Sequence, residues 1–306
     1  MSRVIVVRWA GGKADFGLDK ATYGIMLEAA LRALRQTADL DSVIGDMFPR
    51  GAIGIKTNCL TRKLNSTPVA LADGLAEILT ERGVDENNIV VWDRSNRELS
   101  EAGFLLNASF TGRRCLGTDT SGVGYSSRFF ESGGVNSLVS EILTRTVEHS
   151  INLPVLKDHS LAGMSAGMKN MYGAIHNPNK YHGNNCSPYC AHVSNLAPIR
   201  SKHRMTILDA VRVQFNGGPG YMAQYIETYA GIIVSADPIA CDRVGLEILE
   251  HMRKKYGLPT LENDGRPVKY LQPATELGLG ESDLSKIELK VLSADQTGSV
   301  RDGELY

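Results

Sequence analysis

The densest chemistry in the chain lies between Pro154 and Asp209. Five of the seven histidines fall between His159 and His203, together with Cys186 and Cys190. Packing alone does not call for polar groups at that density. Lys157, Asp158 and His159 follow an apolar run ending at Leu156, and open α/β sheets bind ligands beyond the C-terminal ends of their strands. An imidazole titrating near its ordinary pKa of about 6.5 suits His159 to acid/base work. Ala162, Gly163, Ala166 and Gly167 then make a thin segment that a cofactor or another helix can approach closely. A helix N-terminus here would favour an anion. Lys169 lies ten residues after His159, nearly three turns if the segment is helical. Burying a lysine among small apolar residues is costly. Lys169 therefore reads as a second catalytic or anchoring residue, against a plain packed helix with a solvated lysine. Lys157, Asn170 and Arg62 join it as cofactor- or anion-binding candidates. So do Gly217 and Gly218, in a turn whose backbone N–H groups could hold an anion.

His182, Cys186 and, less directly, His176 are candidate metal ligands. Imidazole and thiolate suit zinc, iron, nickel or an iron–sulfur cluster. His182, Cys186 and Cys190 are spaced by four, but Gly183, Asn184, Asn185 and Pro188 argue against one continuous helix. The competing reading is hydrogen-bonding loop histidines and a buried cysteine. Gly163-Met164-Ser165-Ala166-Gly167 fits a hydrolase nucleophile pattern, which needs a sharp turn directly after a strand and a downstream acid and histidine, such as Asp237 and His251. No G-x-G-x-x-G and no Walker loop supports a dinucleotide or P-loop reading.

Strand runs at 4–9, 52–56, 89–92, 151–156, 205–208, 231–235 and 287–292 would position these residues. Asp19 caps an expected helix whose apolar face is Tyr23, Leu27, Leu31 and Leu34. Thr67-Pro68 opens a second, with Leu71, Leu75, Ile78 and Leu79 on one face and Gly83 at its end. Spacing predicts further helices over 135–147, 190–196 and 238–256, the last capped by Asp237. The stretch 105–134 reads as an irregular insertion or a pair of short strands. The expected fold is α/β: mostly parallel sheet with flanking helices, in two lobes around a cleft. We expect one α/β unit over residues 1–306, with a lobe boundary near 105–134.

Composition removes several classes. Thirty-three Lys plus Arg against 34 Asp plus Glu leave no general basic excess, so no nucleic-acid partner is expected. No apolar run reaches the roughly 18 residues of a membrane helix. Five scattered cysteines do not make a disulfide framework. Residues 3–7 read as a strand and not a signal peptide, so the expected location is the cytoplasm, or outside it if this is a trimmed precursor.

Seven segments stand out together: Lys56-Thr57-Asn58, Thr67-Pro68, Leu156-Lys157-Asp158-His159, Met168 to Gly173, His176 to Pro188, Asp209-Ala210 with Gly217-Gly218-Pro219, and Asp237 to Asp242. In these the chain resembles the large uncharacterised bacterial family numbered 362 among the domains of unknown function. The resemblance implies an iron–sulfur association in many members and a twin-arginine export signal, which is not seen here. The chain is more distantly similar to the nickel-pincer lactate racemases, where a catalytic histidine precedes by ten residues the lysine carrying the pincer nucleotide. His159 and Lys169 have that separation, but the nickel-ligand histidine has no clear match. That likeness implies cofactor and substrate in an inter-lobe cleft.

Two functions follow as expectations. One is a metal- or cofactor-dependent enzyme, an oxidoreductase or isomerase, acting on a small anionic substrate. The other is a non-catalytic iron–sulfur or metal-binding electron-transfer protein using Cys186, Cys190 and one or two of Cys59, Cys115 and Cys241. In the first, His159, Lys169 and His182 converge on one cleft. Arg62, Lys157 and Lys169 make it electropositive, and Cys186 lies nearer to it than Cys115.

Overall fold

Alternate residues of the first strand divide the protein into two cores. In β1 (Ser2–Trp9), Val4 and Val6 face one, and Ile5 and Val7 the other. This is the period of two that a strand covered on both faces imposes. The computed structural model describes residues 1–306 except Lys13, Asp15 and Phe16. One face is covered by α1 (Lys20–Arg35), α2 (Leu40–Met47) and α3 (Val69–Glu81). Asp19 caps α1 by accepting from the Thr22 backbone N–H, as expected. For α3 the cap differs. Pro68 is its N-cap residue, and the Thr67 hydroxyl accepts from Asn58 N and donates to the Leu153 carbonyl.

Next to α3 in sequence come β2 (Ile53–Lys56) before it, then β3 (Ile89–Asp93), α4 (Asn96–Ala102) and β4 (Arg114–Gly117). β2, β3 and β4 are parallel. A two-stranded hairpin, β5 (Phe130–Ser132) with β6 (Val135–Ser137), follows. The expected helix over 135–147 is absent. β6 and a π-helical turn at Ile142–Thr146 occupy it, held by bridges from Tyr125 to Ser140 and from Val139 to Ile175.

The expected strand over 151–156 is two: β7 (His149–Asn152) and β8 (Val155–His159). Pro154, which has no N–H for a ladder, separates them. β8 then turns back into β9 (Gly163–Ser165), antiparallel to it, and α5 (Gly167–Asn170) follows. The thin segment is thus a hairpin and not a helix, and it returns Lys169 toward His159.

After α6 (Tyr189–Ser194) and α7 (Ala197–Lys202) come the two long central strands, β10 (His203–Gln214) and β11 (Ile226–Ser235). α8 (Pro238–Lys255) lies on the face opposite α1, with Asp237 capping and Pro238 leading. α9 (Leu271–Glu276), β12 (Ile287–Ala294) and β13 (Val300–Asp302) complete the chain. The sheet runs β13-β12-β1-β11-β10-β7-β2-β3-β4, with β8 and β9 branching from β10. It is a large, mixed, mostly parallel sheet flanked by helices, the fold class that the sequence pattern predicts. Among the described residues no helix is long and apolar enough to cross a membrane.

The end of β8 is clamped from two sides. The Asp158 carboxylate accepts from Gly218 N at 2.8 Å and from Arg266 Nη1 at 2.7 Å, with Arg253 Nη1 at 3.6 Å. Gly218 also accepts from Ser160 N at 2.9 Å. The turn's backbone donor therefore holds the protein's own carboxylate. A Cβ at Gly218 would fall on the Asp158 carbonyl oxygen, whereas one at Gly220 meets nothing within 4 Å. Gly218→Ala should lower stability by about 1–3 kcal/mol through overpacking against backbone. Gly220→Ala should stay within about 0.5 kcal/mol of the parent. Urea unfolding of both variants checks this, and equal effects would show that Gly218 is not a packing position.

Candidate functional site

β2, β3 and β8 share a direction, and their C-terminal ends open on a cleft of about 520 Å³. Each end supplies a charged side chain: Lys56, Asp93 and Lys157. Lys56 and Asp93 form a buried ion pair at 2.6 Å. Asp93 also accepts from the backbone N–H groups of Cys59 and Arg94, each at 2.7 Å, so both carboxylate oxygens are satisfied. Their full pairing makes these two residues a frame.

Lys157 is different. It is 1% exposed, and its Nζ donates to Asn58 Oδ1 (2.8 Å), the Asn65 carbonyl (3.0 Å) and Thr61 Oγ1 (3.3 Å). All three acceptors are uncharged. Burial pushes its pKa down to about 8. Lys169 is 8% exposed. Its Nζ lies 3.1 Å from His182 Nε2 and 3.8 Å from the centre of the Tyr172 ring. Burial lowers its pKa as well. Neither lysine has a carboxylate partner among the described residues. Desolvating a charge without an opposite charge is unfavourable by several kcal/mol.

The two histidines between them are held in defined tautomers. His159 Nδ1 lies 3.1 Å from the backbone N–H groups of Leu161 and Ala162, and so must be the acceptor. The ring proton is then on Nε2, which has no protein partner among the described residues. Burial, then Lys169, His182 and Lys157, push its pKa down to about 3. His159 is therefore a neutral hydrogen-bond donor at ordinary pH. That revises the expectation of an imidazole titrating near 6.5: burial, and then the surrounding cations, disfavour a second proton. His182 Nδ1 donates to the Pro178 carbonyl at 3.0 Å, which leaves an Nε2 lone pair facing Lys169. The two imidazoles stack at 5.9 Å.

His159, Lys157, Lys169, Asn170 and His182 thus line one cleft. Asn170 acts there as a tie, donating to Asn152 Oδ1 at 2.8 Å and accepting from Asn58 Nδ2 at 3.1 Å. Arg62 is not part of it. Its side chain is 72% exposed and pairs with Glu101. Gly217 and Gly218 lie behind the strand end, and Pro219 is the turn residue that reaches the cleft. Ser165 lines the cleft, but Asp237 caps α8 and His251 stacks on Tyr306, so no triad forms around it. Sequence reasoning missed Asp93, Arg94 and Glu98, which also line the cleft. The strand-end rule that selects residues 157–159 would also have selected Asp93 and Arg94. Burial and the Asp93 charge push the Glu98 carboxyl up.

A protein-ligated metal centre does not fit the residues present. Among the described residues no three His, Cys, Asp or Glu side chains form a group that could hold an ion. His176 is exposed and rests edge-on against Tyr125 and Phe129, outside the cleft. The His182 Nε2 lone pair is engaged by Lys169. Cys186 is buried behind Lys169 and Tyr172, its thiol 3.9 Å from the His182 carbonyl, and it is nearer the cleft than Cys115. Cys59 and Cys115 belong to one core and Cys186, Cys190 and Cys241 to the other. Burial raises all five thiols away from the thiolate that binds metals.

Searches of curated proteins and of solved structures find no match, so the distant racemase likeness gains nothing from them. The family described as Domain of unknown function (DUF362) matches residues 53–247, from β2 into α8. That segment contains every cleft residue named above, and the chain belongs to the DUF362 family.

Proposed function

We propose that this protein is an enzyme, of the isomerase or oxidoreductase kind, that moves a proton on a small anionic substrate held in the cleft. One observation carries the reading: Lys157 and Lys169 both line the cleft, both are buried, and neither has a carboxylate partner among the described residues. An anion entering the cleft supplies the missing charge. Lys157 contributes field alone, because its three protons are already donated. Lys169 keeps N–H groups free for contact. His159 Nε2–H then donates to the oxygen on which negative charge develops, a role for which a neutral imidazole is suited. Lys169 and Glu98, with pKa values drawn toward neutrality from opposite sides, are the candidate proton carriers. The same recognition serves the phosphate or carboxylate of an organic cofactor.

Calorimetric titration with inorganic phosphate and small carboxylates tests the site. Lys169→Met should weaken the tightest of them by at least about tenfold, the weight of one charged hydrogen bond. Added salt should weaken it further in the parent. Undiminished binding by the variant would reduce Lys169 to a packing residue.

The pH dependence has a definite sign. Anions bind the protonated lysines, and Lys157 loses its proton as pH rises through about 8. Affinity for a small carboxylate, which stays ionised throughout, should therefore fall as pH rises through about 8. A carboxylate affinity that does not fall between about pH 7 and 9 would refute a part for the Lys157 charge in holding the anion.

A further inference from the structure

We propose that Lys169 is a nucleophilic amine that forms an imine with the carbonyl group of a 2-oxo acid bound in the cleft. This deepens the preceding reading and rests on it, since the carboxylate of the 2-oxo acid is the anion.

Among the described residues three lysines line the cleft, and one of them is free to react. Lys56 Nζ is held by Asp93, the Thr57 carbonyl and Asn170. Lys157 Nζ is held by three oxygens. Among the described residues Lys169 Nζ has one hydrogen-bond partner, His182 Nε2, and one face covered by the Tyr172 ring. That partner is an acceptor, because His182 Nδ1–H is committed to the Pro178 carbonyl. It can therefore remove a proton from the ammonium and expose the nitrogen lone pair. A lysine carboxylate pair would do the reverse and keep the ammonium charged. His159 presents its Nε2–H to the same cavity, where it polarises a carbonyl oxygen. Desolvated lysines beside other cations are the ones that serve as Schiff-base nucleophiles.

The step balances without an added reagent. The ammonium gives one proton to His182 Nε2. The amine lone pair forms a C–N bond to the carbonyl carbon, and the C=O π pair moves to oxygen. A proton shifts from nitrogen to that oxygen. The His182 proton then goes to the hydroxyl as the C–O bond breaks, water leaves, and a protonated imine remains. The sum is an ammonium plus a ketone giving an iminium plus water.

The experiment incubates the full chain with glyoxylate, pyruvate or 2-oxoglutarate and sodium cyanoborohydride, followed by intact-mass measurement and peptide mapping. We expect one reduced adduct per chain, on Lys169, with at least one of the three acids. Lys169→Arg, which keeps the charge but is not a nucleophile, should give none at that position. His182→Gln, folded by circular dichroism, should slow trapping at least about tenfold. Calorimetric binding of these acids without an adduct on Lys169 overturns the imine and leaves the anion site standing. Absence of both binding and adduct overturns both. An adduct spread over surface lysines with Lys169 unmodified also overturns the imine.

Discussion

Lys157 keeps its ammonium out of water by giving each proton to an uncharged oxygen, and the shape of the cleft depends on that arrangement. The three acceptors come from residues 58–65, the loop after β2, so the lysine draws that loop over the end of β8. Hydrogen bonds offset part of the desolvation penalty but leave the charge unneutralised. The positive potential is then felt by every titratable group nearby. It lowers the His159 pKa alongside burial and Lys169. A carboxylate placed beside Lys157 would stabilise the lysine and abolish the site.

The placement of Lys169 depends on an equally buried acid. Asp242, on α8, accepts from Gly167 N at 2.6 Å and Met168 N at 3.0 Å. These are the first residues of the short helix that carries Lys169. Burial pushes the Asp242 carboxyl up to about 7, against these two hydrogen bonds, which lower it. Asn152, at the end of β7, donates to the Gly167 carbonyl and accepts from Asn170. A four-residue helix is too short to hold its geometry unaided. Long-range contacts to a helix and a strand fix the lysine that a local motif could not.

Much of this was legible in the sequence, for identifiable reasons. Continuous or alternating apolar runs marked β1, β3 and β12, and Asp19 and Asp237 marked their helices by cap chemistry. His159, Lys169 and His182 were found because polar density after a strand end is hard to explain by packing. What failed was whatever depends on distant partners. Val135, Val139, Ile142, Leu143 and Val147 recur at helical spacing, yet all five are buried in a hairpin and turn held by bridges to residues 125 and 175. Arg114–Gly117 is too short and too polar to announce an edge strand. The glycine turn did hold an anion, but that anion was Asp158.

The clamp on Asp158 has a consequence for where this fold can be divided. Arg253 and Arg266, which flank that carboxylate, lie beyond residue 247, where the family segment ends. β1, which pairs with β11 along one edge, lies before residue 53, where it begins. Excised at those limits, the segment would leave a buried acid without its cations and a long central strand with an open side. The segment that the family model matches is therefore smaller than the packed body that holds the Asp158 clamp together.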